Sequence, residues 1–211
     1  RLPIAKLLAL RGDGWDEIPV VRLYASPRFE SPSVGNVSGK ALWCEKAPRP
    51  LLHVRQECES LAFFDAEEAT IARVCEAFEQ AAPAHIACHA EATRFARGVS
   101  RMQLADGWLS ESDIPDHLAS PLVFLCACDT SLGSLIPGVQ KESLALTLLR
   151  RGVGAVVSTQ WTVRDDVAPI VSRVFWEQIQ KGENPPRALW LAQKEIQHLS
   201  THFAAFELSY G

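Results

Sequence analysis

Two short apolar runs, each leading to a reactive side chain, constrain the fold more than any other feature of this sequence. Residues 84–88 read AHIAC and lead to His89, and residues 122–127 read LVFLCA and lead to Cys128. Short, largely apolar runs of this kind are typical of buried strands. The polarity then changes abruptly at Asp129. Each predicted strand therefore delivers one chemically reactive side chain to an edge of a sheet.

Helical patterns alternate with the predicted strands along the chain. Asp65 and Glu68 form a capping pair, and apolar residues follow at helical spacing, so a helix is predicted over residues 66–80. Helical spacing or capping signals predict further helices over residues 51–62, 110–118 and 141–151, one capped by Asp165 or Asp166, and one after Asn184. Strands are predicted at residues 41–44, 84–88, 122–128, 155–159 and 202–210, with a hairpin turn at Asp106-Gly107. This alternation indicates an α/β fold with a largely parallel sheet.

Composition narrows the class of protein. The chain has 211 residues, which is enough for one domain with a good-sized core. A formal net charge of -4 does not favour nucleic-acid binding. No apolar window is long enough to cross a bilayer, and six cysteines are too few for a disulfide scaffold of this length. These features predict a cytoplasmic protein with free thiols that binds neither nucleic acid nor a membrane.

The two strand ends suggest a thiol nucleophile and its base. Ligands collect at the carboxyl ends of strands in an open parallel sheet, and neighbouring strands lie about 4.8 Å apart. If the two strands are neighbours, His89 can take the proton of Cys128, and the thiolate can attack a carbonyl. The backbone N–H groups of Cys128 and Ala90 are the expected donors to the resulting oxyanion.

Other interpretations of the same residues stay open. A buried cysteine is more often a small hydrophobic residue than a nucleophile, and the other five cysteines are assigned to packing, as His85 is to the core. Because strand residues alternate between faces, Cys88, His89, Cys126 and Cys128 cannot all converge on zinc, so neither a metal site nor a cofactor is expected. The acidic loop residues either cap and face solvent or line a pocket that favours a basic side chain; they are Asp129, Asp165 and Asp166.

Four ordered segments resemble the conserved blocks of a known family. They read HIACHA, VFLCACDT, GVGAVVSTQWTVRDD and FAAFELSYG, and they are similar in order and spacing to the CHAT domain, a caspase-like peptidase module related more distantly to separases. The earlier segments LPIAKL, RLYASP, GKALWCEKAP and LLHVRQECESLA fit less specifically. The resemblance implies a caspase-like αβα sandwich, with a mostly parallel central sheet flanked by helices. It also implies that His89 is the catalytic histidine and Cys128 the nucleophile.

The chain departs from the family pattern at a few positions. Ala90 stands where the family commonly has glycine, Cys126 replaces a usual serine, and Ser131 stands where glycine is frequent. The family's first strand is missing before LPIAKL, so residues 1–211 are expected to be a single CHAT-type peptidase domain from a larger multidomain protein.

The resemblance also implies an activity and its control. We expect a cysteine endopeptidase that cleaves a specific protein substrate, held in check by a sensor or TPR-type domain in the same or a partner chain, in bacterial defence or regulated proteolysis. Substrate contacts are expected from Asp129, Gln160, Trp161 and Asp165, whose acidic members favour a basic or neutral P1 residue. The alternatives are a catalytically silent interaction module with the same fold and a thiol hydrolase of small esters.

Overall fold

The computed structural model describes residues 21–23, 38–46, 50–92, 100–128, 143–197 and 204–210. Within these residues the chain forms ten strands, which are β1 (Val21–Leu23), β2 (Gly39–Trp43), β3 (Phe64–Glu68), β4 (Ala84–Ala87), β5 (His89–Ala92), β6 (Ser100–Leu104), β7 (Gly107–Ser110), β8 (Leu122–Cys126), β9 (Ala155–Thr159) and β10 (Phe206–Tyr210). Five helices alternate with them in the same part of the chain, namely α1 (Val54–Glu59), α2 (Ile71–Glu79), α3 (Leu144–Arg150), α4 (Ala168–Gln180) and α5 (Pro185–Ile196).

Seven of these strands form the central sheet, in the order β1-β10-β9-β8-β4-β2-β3. Only β10 runs antiparallel to a neighbour, β9; the other pairs of this sheet are parallel. The expected largely parallel sheet is therefore confirmed. Because β4 and β8 are adjacent and parallel, their carboxyl ends meet at the same edge.

β4 ends at Ala87, one residue before the predicted end at Cys88, and a second strand, which was not predicted, begins at His89. His89 is the first residue of β5, and β5 pairs with β6 and β7 in a separate antiparallel sheet. The hairpin between β6 and β7 turns at Ala105 and Asp106, as the Asp106-Gly107 pair predicts.

Helices cover both faces of the central sheet. On one face α1, α4 and α5 pack on the strands in a core that includes Phe124 and Trp176, both fully buried. On the other face α2, α3 and the β5–β7 sheet pack around Phe78 and Ile86. Strands β4, β8 and β9 are thus buried on both faces, which explains their largely apolar runs. The αβα sandwich is confirmed.

Several predicted helix ends are wrong, and tertiary contacts account for them. Residues 64–68 form β3 beside β2, so Asp65 does not cap a helix; Thr70 caps α2, with its side chain accepting from the N–H of Arg73 at 3.4 Å. No helix follows Ser110. Its N–H and hydroxyl both donate to the Asp113 carboxylate, at 2.8 and 2.6 Å, but the chain there makes only a turn.

Of the caps predicted for the last two helices, one is confirmed and one is wrong. Asn184 caps α5 as predicted, because its side chain accepts from the N–H of Arg187 at 2.9 Å and Pro185 follows in the first turn. Val167 precedes α4 without a side-chain cap, so neither Asp165 nor Asp166 has the predicted capping role. Among the helices that the structure describes, none combines the length and hydrophobicity needed to cross a bilayer.

Candidate active site

The register between β4 and β8 aligns the two reactive residues. Ala87 is paired with Cys126, and the N–H of Cys88 donates to the carbonyl of Cys126 at 3.3 Å. His89 and Cys128 each lie two residues beyond the paired residues. The strand adjacency on which a shared site depends is therefore present in the structure.

A pocket opens at this edge of the sheet, on the face covered by α1 and α4. Its space is about 380 Å³ when its opening to solvent is included. His89 and Cys128 both line it, and both are half-buried. Its apolar wall comes from α1 and the residues just before it, from the loop after β9 and from the start of α4, through Leu51, Val54, Val163 and Ala168. The remaining lining residues are Glu57, Cys88, Cys126, Ala127, Thr159 and Asp165.

A buried hydroxyl holds the backbone next to Cys128. Thr159 ends β9 with 1% of its surface exposed, and its Oγ1 donates to the carbonyl of Ala127 at 2.6 Å. The carbonyl belongs to the peptide bond that joins Ala127 to Cys128. Thr159 therefore fixes the segment that carries Cys128 after β8 has ended.

The thiols of Cys88 and Cys126, which also line the pocket, lie in an environment that disfavours the thiolate. Burial raises the pKa of the Cys88 thiol far above its ordinary value, and burial also raises the pKa of Cys126, with a further increase from the nearby Glu57 carboxylate. Both stay protonated at neutral pH and are poor nucleophiles. All six cysteines are free, and Cys44, Cys58 and Cys88 are buried as the packing assignment predicts.

A buried polar chain behind the pocket was missed by the sequence analysis. Glu57 of α1 is 2% exposed, and its Oε1 lies 2.7 Å from Nε2 of the fully buried His85. On the other side of the ring, the indole N–H of Trp176 donates to Nδ1 of His85 at 3.2 Å. His85 is thus a core residue, as expected. Glu57 shares a helix face with Val54, three residues earlier, which is the one sequence signal that points to its burial.

Three of the predicted substrate contacts, Asp165, Gln160 and Trp161, differ in their position relative to the pocket. Asp165 lines the pocket, but its Oδ2 accepts the backbone N–H groups of Leu52 and His53 at 2.7 and 3.1 Å. Gln160 donates to Glu207 at 2.7 Å, and Trp161 packs against the core; neither is among the described residues that line the pocket.

Of the remaining two predicted residues, Ala90 and Asp129, the structure describes only Ala90. Ala90 lies in β5 opposite Met102, outside the described lining. Asp129 and the rest of the loop to Gln140 lie outside the described residues. Within the part of the chain that is described, no group of three or more His, Cys, Asp or Glu side chains has an arrangement that could hold a metal ion.

Solved structures of distant sequence share the fold of this chain. The chain is similar to a caspase-like cysteine proteinase, gingipain R from Porphyromonas gingivalis. In a complex of the RgpB pro- and mature domains the TM-score is 0.52 at 10% identity, over 83% of this chain and 48% of that one. Another crystal structure of gingipain R gives 0.50 at 8% identity, over 83% and 46%. The separase of the Saccharomyces cerevisiae separase–securin complex gives 0.63 at 11% identity, over 94% of this chain.

The family follows from the sequence model that matches most of the chain. The CHAT domain model matches residues 39–206, so the chain belongs to the CHAT domain family, and its fold is that of a caspase-like peptidase. The chain spans 48% of the gingipain chain and 14% of the separase chain. No curated protein sequence matches it.

Proposed function

We propose that the chain is a cysteine endopeptidase in which Cys128 is the nucleophile and His89 the general base. The observation that carries the proposal is the position of both side chains in one pocket, two residues beyond the paired residues of adjacent parallel strands. The CHAT family membership and the caspase-like fold support it.

The chemistry requires only these residues and water. His89 takes the proton from the Cys128 thiol, and the thiolate attacks the carbonyl carbon of the scissile peptide bond. The backbone N–H groups of Cys128 and Ala90 stabilise the oxyanion of the tetrahedral intermediate. His89 then gives its proton to the leaving amine as the C–N bond breaks. Water, activated by His89, hydrolyses the thioester and restores the thiol.

The substrate in this proposal is a protein, bound along the edge of the sheet where the pocket opens. Asp129, Gln160, Trp161 and Asp165 remain the proposed contacts in the groove. Asp165 contributes through the loop that it holds, because one of its oxygens is already occupied by two backbone N–H groups.

Control by another protein is the second part of the proposal. The domain acts in the cytoplasm, and a sensor or TPR-type domain, in the same or a partner chain, restrains it until a signal in bacterial defence or regulated proteolysis. The separase neighbour was solved in complex with securin, which supports a protein partner for a peptidase of this fold.

Selective alkylation tests the dyad directly. Iodoacetamide at substoichiometric concentration, followed by peptide mapping, should modify Cys128 before the other five cysteines, because only a thiolate reacts rapidly. His89→Ala should slow modification of Cys128 by at least about tenfold, the scale of general-base assistance. Cys75→Ser is the matched control: Cys75 is a half-buried thiol outside the pocket, and its replacement should leave labelling of Cys128 unchanged.

The opposite result has a clear meaning. If Cys128 reacts no faster than Cys75 in the wild-type protein, and His89→Ala has no effect, the dyad does not operate. The chain is then better described as a silent interaction module with a CHAT fold.

A further inference from the structure

Four side chains form one hydrogen-bonded chain behind the dyad. The indole N–H of Trp176 on α4 donates to Nδ1 of His85 on β4, at 3.2 Å. Because that nitrogen is an acceptor, the ring carries its proton on Nε2, which lies 2.7 Å from Oε1 of Glu57 on α1. The Glu57 carboxylate also accepts the thiol of Cys126, the last residue of β8. Glu57 therefore receives one donor from each of two adjacent strands.

These two strands carry the dyad. His85 lies four residues before His89, and Cys126 lies two residues before Cys128. The strands are paired as far as Ala87 and Cys126. Beyond this pair, His89 begins β5 of the other sheet and Cys128 lies in a turn. The position of one reactive side chain relative to the other thus depends on how the two strand ends are held together.

The Glu57 carboxylate is suited to hold them because it is buried and ionisable. Only 2% of its surface is exposed, although it lines the same pocket as His89 and Cys128. Hydrogen bonds to a carboxylate are shorter and roughly twice as strong as those between neutral groups. A shift of β8 away from β4 would stretch or break such a bond in the protein interior, where an unsatisfied carboxylate is costly. The two bonds to Glu57 therefore resist that shift.

We infer that Glu57 is a positioning residue of the dyad, and that the hydrogen bond it receives from Cys126 fixes the segment that carries Cys128 relative to His89. The inference rests on the proposed peptidase function, since it takes Cys128 and His89 to be the reacting pair. Neither Glu57 nor Cys126 takes part in bond breaking. The role of Cys126 goes beyond the packing assigned to it from the sequence, because its thiol is a donor. Thr159 holds the same segment from β9, so the end of β8 is tied on two sides.

Replacement of Cys126 tests this hydrogen bond by itself. Cys126→Ala removes the donor, whereas Cys126→Ser keeps a donor in almost the same place. At pH 7 we expect iodoacetamide to modify Cys128 roughly fivefold more slowly in the alanine variant. That loss is smaller than the one expected for His89→Ala, because the base is displaced rather than removed. The serine variant should react at close to the wild-type rate.

A second pH separates positioning from access. At pH 9.5 a thiol of ordinary pKa is mostly ionised without a base, so the rate of modification no longer depends on His89. Cys126→Ala should therefore match the wild-type rate at pH 9.5 to within about twofold. Among the described lining residues, the ionisable side chains outside the network and the dyad are Cys88 and Asp165, and every variant retains them. A change in access to Cys128 would instead slow the reaction at both pH values.

Two further variants control for packing. Cys58→Ala removes a sulfur atom from the fully buried cysteine that follows Glu57 in α1, and should leave modification of Cys128 unchanged. Glu57→Gln keeps an oxygen for His85 and turns its amide group towards Cys126, which loses its acceptor. It should therefore slow the modification at pH 7 as Cys126→Ala does. The double variant should be no slower than the slower single variant, because both changes remove the same hydrogen bond.

Several results would overturn the inference. They are a folded Cys126→Ala that reacts at the wild-type rate, a serine variant as slow as the alanine variant, and a rate that falls equally at both pH values. Single effects that multiply in the double variant would show that Glu57 and Cys126 act separately. Thermal unfolding identifies variants that fail to fold; if Cys126→Ala is one of them, Glu57→Gln takes its place at both pH values.

Failure of the peptidase proposal has a different outcome. If iodoacetamide does not select Cys128 in the wild-type protein, there is no dyad to position, and both proposals are rejected together. Selective modification that depends on His89 but not on Cys126 rejects the positioning role alone and leaves the dyad standing.

Discussion

Replacing Thr159 by valine tests how the nucleophile is positioned. Valine has nearly the same shape as threonine, so the change removes the hydroxyl that donates to the Ala127 carbonyl at 2.6 Å and leaves the packing of β9 almost intact. A neutral hydrogen bond contributes about 1 kcal/mol, and loss of a donor to a buried carbonyl adds a cost of similar size. We expect the free energy of unfolding to fall by about 1–2 kcal/mol.

The change should also slow the reaction of Cys128. The lost bond fixes the peptide group immediately before the nucleophile, and small displacements of a reacting group cost large factors in rate. We expect alkylation of Cys128 to slow by roughly tenfold in Thr159→Val. Alkylation reactions quenched at a series of times and analysed by peptide mapping give the rate, and urea unfolding gives the free energy of unfolding.

Thr159→Ser is the matched control, because serine keeps the hydroxyl and loses a buried methyl group. That loss costs about 0.8 kcal/mol, so both variants are destabilised, but only the valine variant should lose reactivity. If the two variants react with the alkylating reagent at the same rate, Thr159 acts through packing alone and the positioning argument is wrong.

Three further perturbations test the fold around the site. Gly39→Ala should lower the free energy of unfolding by about 3 kcal/mol, measured in urea, because the added Cβ would overlap the backbone carbonyl oxygen of Pro83. Asp165→Ala should cost about 1–2 kcal/mol in the same assay, and Asp165→Asn less, because the N–H of Leu52 and that of the next residue lose their acceptor in the first variant and keep a neutral amide oxygen as acceptor in the second. Burial raises the pKa of Cys58 well above its ordinary range, so the stability from its protonated thiol is complete below the unfolded-chain pKa of about 8.5 and is lost as the pH rises towards the folded pKa. Unfolding free energies measured at intervals from pH 7 to 10 should therefore fall less steeply in Cys58→Ala; an unchanged slope would contradict the assignment.

Much of the fold was accessible from local patterns. The buried strands β4, β8 and β9 were predicted because residues covered on both sides must all be apolar, and that requirement is visible in a short window of sequence. The cap of α5 at Asn184 was predicted for the same kind of reason, since the cap and its proline are neighbours in the chain.

The errors concern residues whose partners are distant in sequence. Asp65 was assigned to a helix cap, but pairing with β2 draws it into β3. Asp165 was assigned to the cap of α4, yet its carboxylate binds a backbone N–H group 113 positions away, at Leu52. A local pattern shows that an acidic side chain can accept hydrogen bonds, but it does not show which donors the folded chain brings to it.

The sequence by itself determined the two strands and the residues that follow them, His89 and Cys128, because strand hydrophobicity is a local property. Only the tertiary structure decided what surrounds them. Glu57 is a charged residue in a short helix, and its burial depends on a histidine 28 positions away that is held by an indole 91 positions further on. Packing of these distant segments brings the Glu57 side chain into the wall of the pocket that Cys128 also lines.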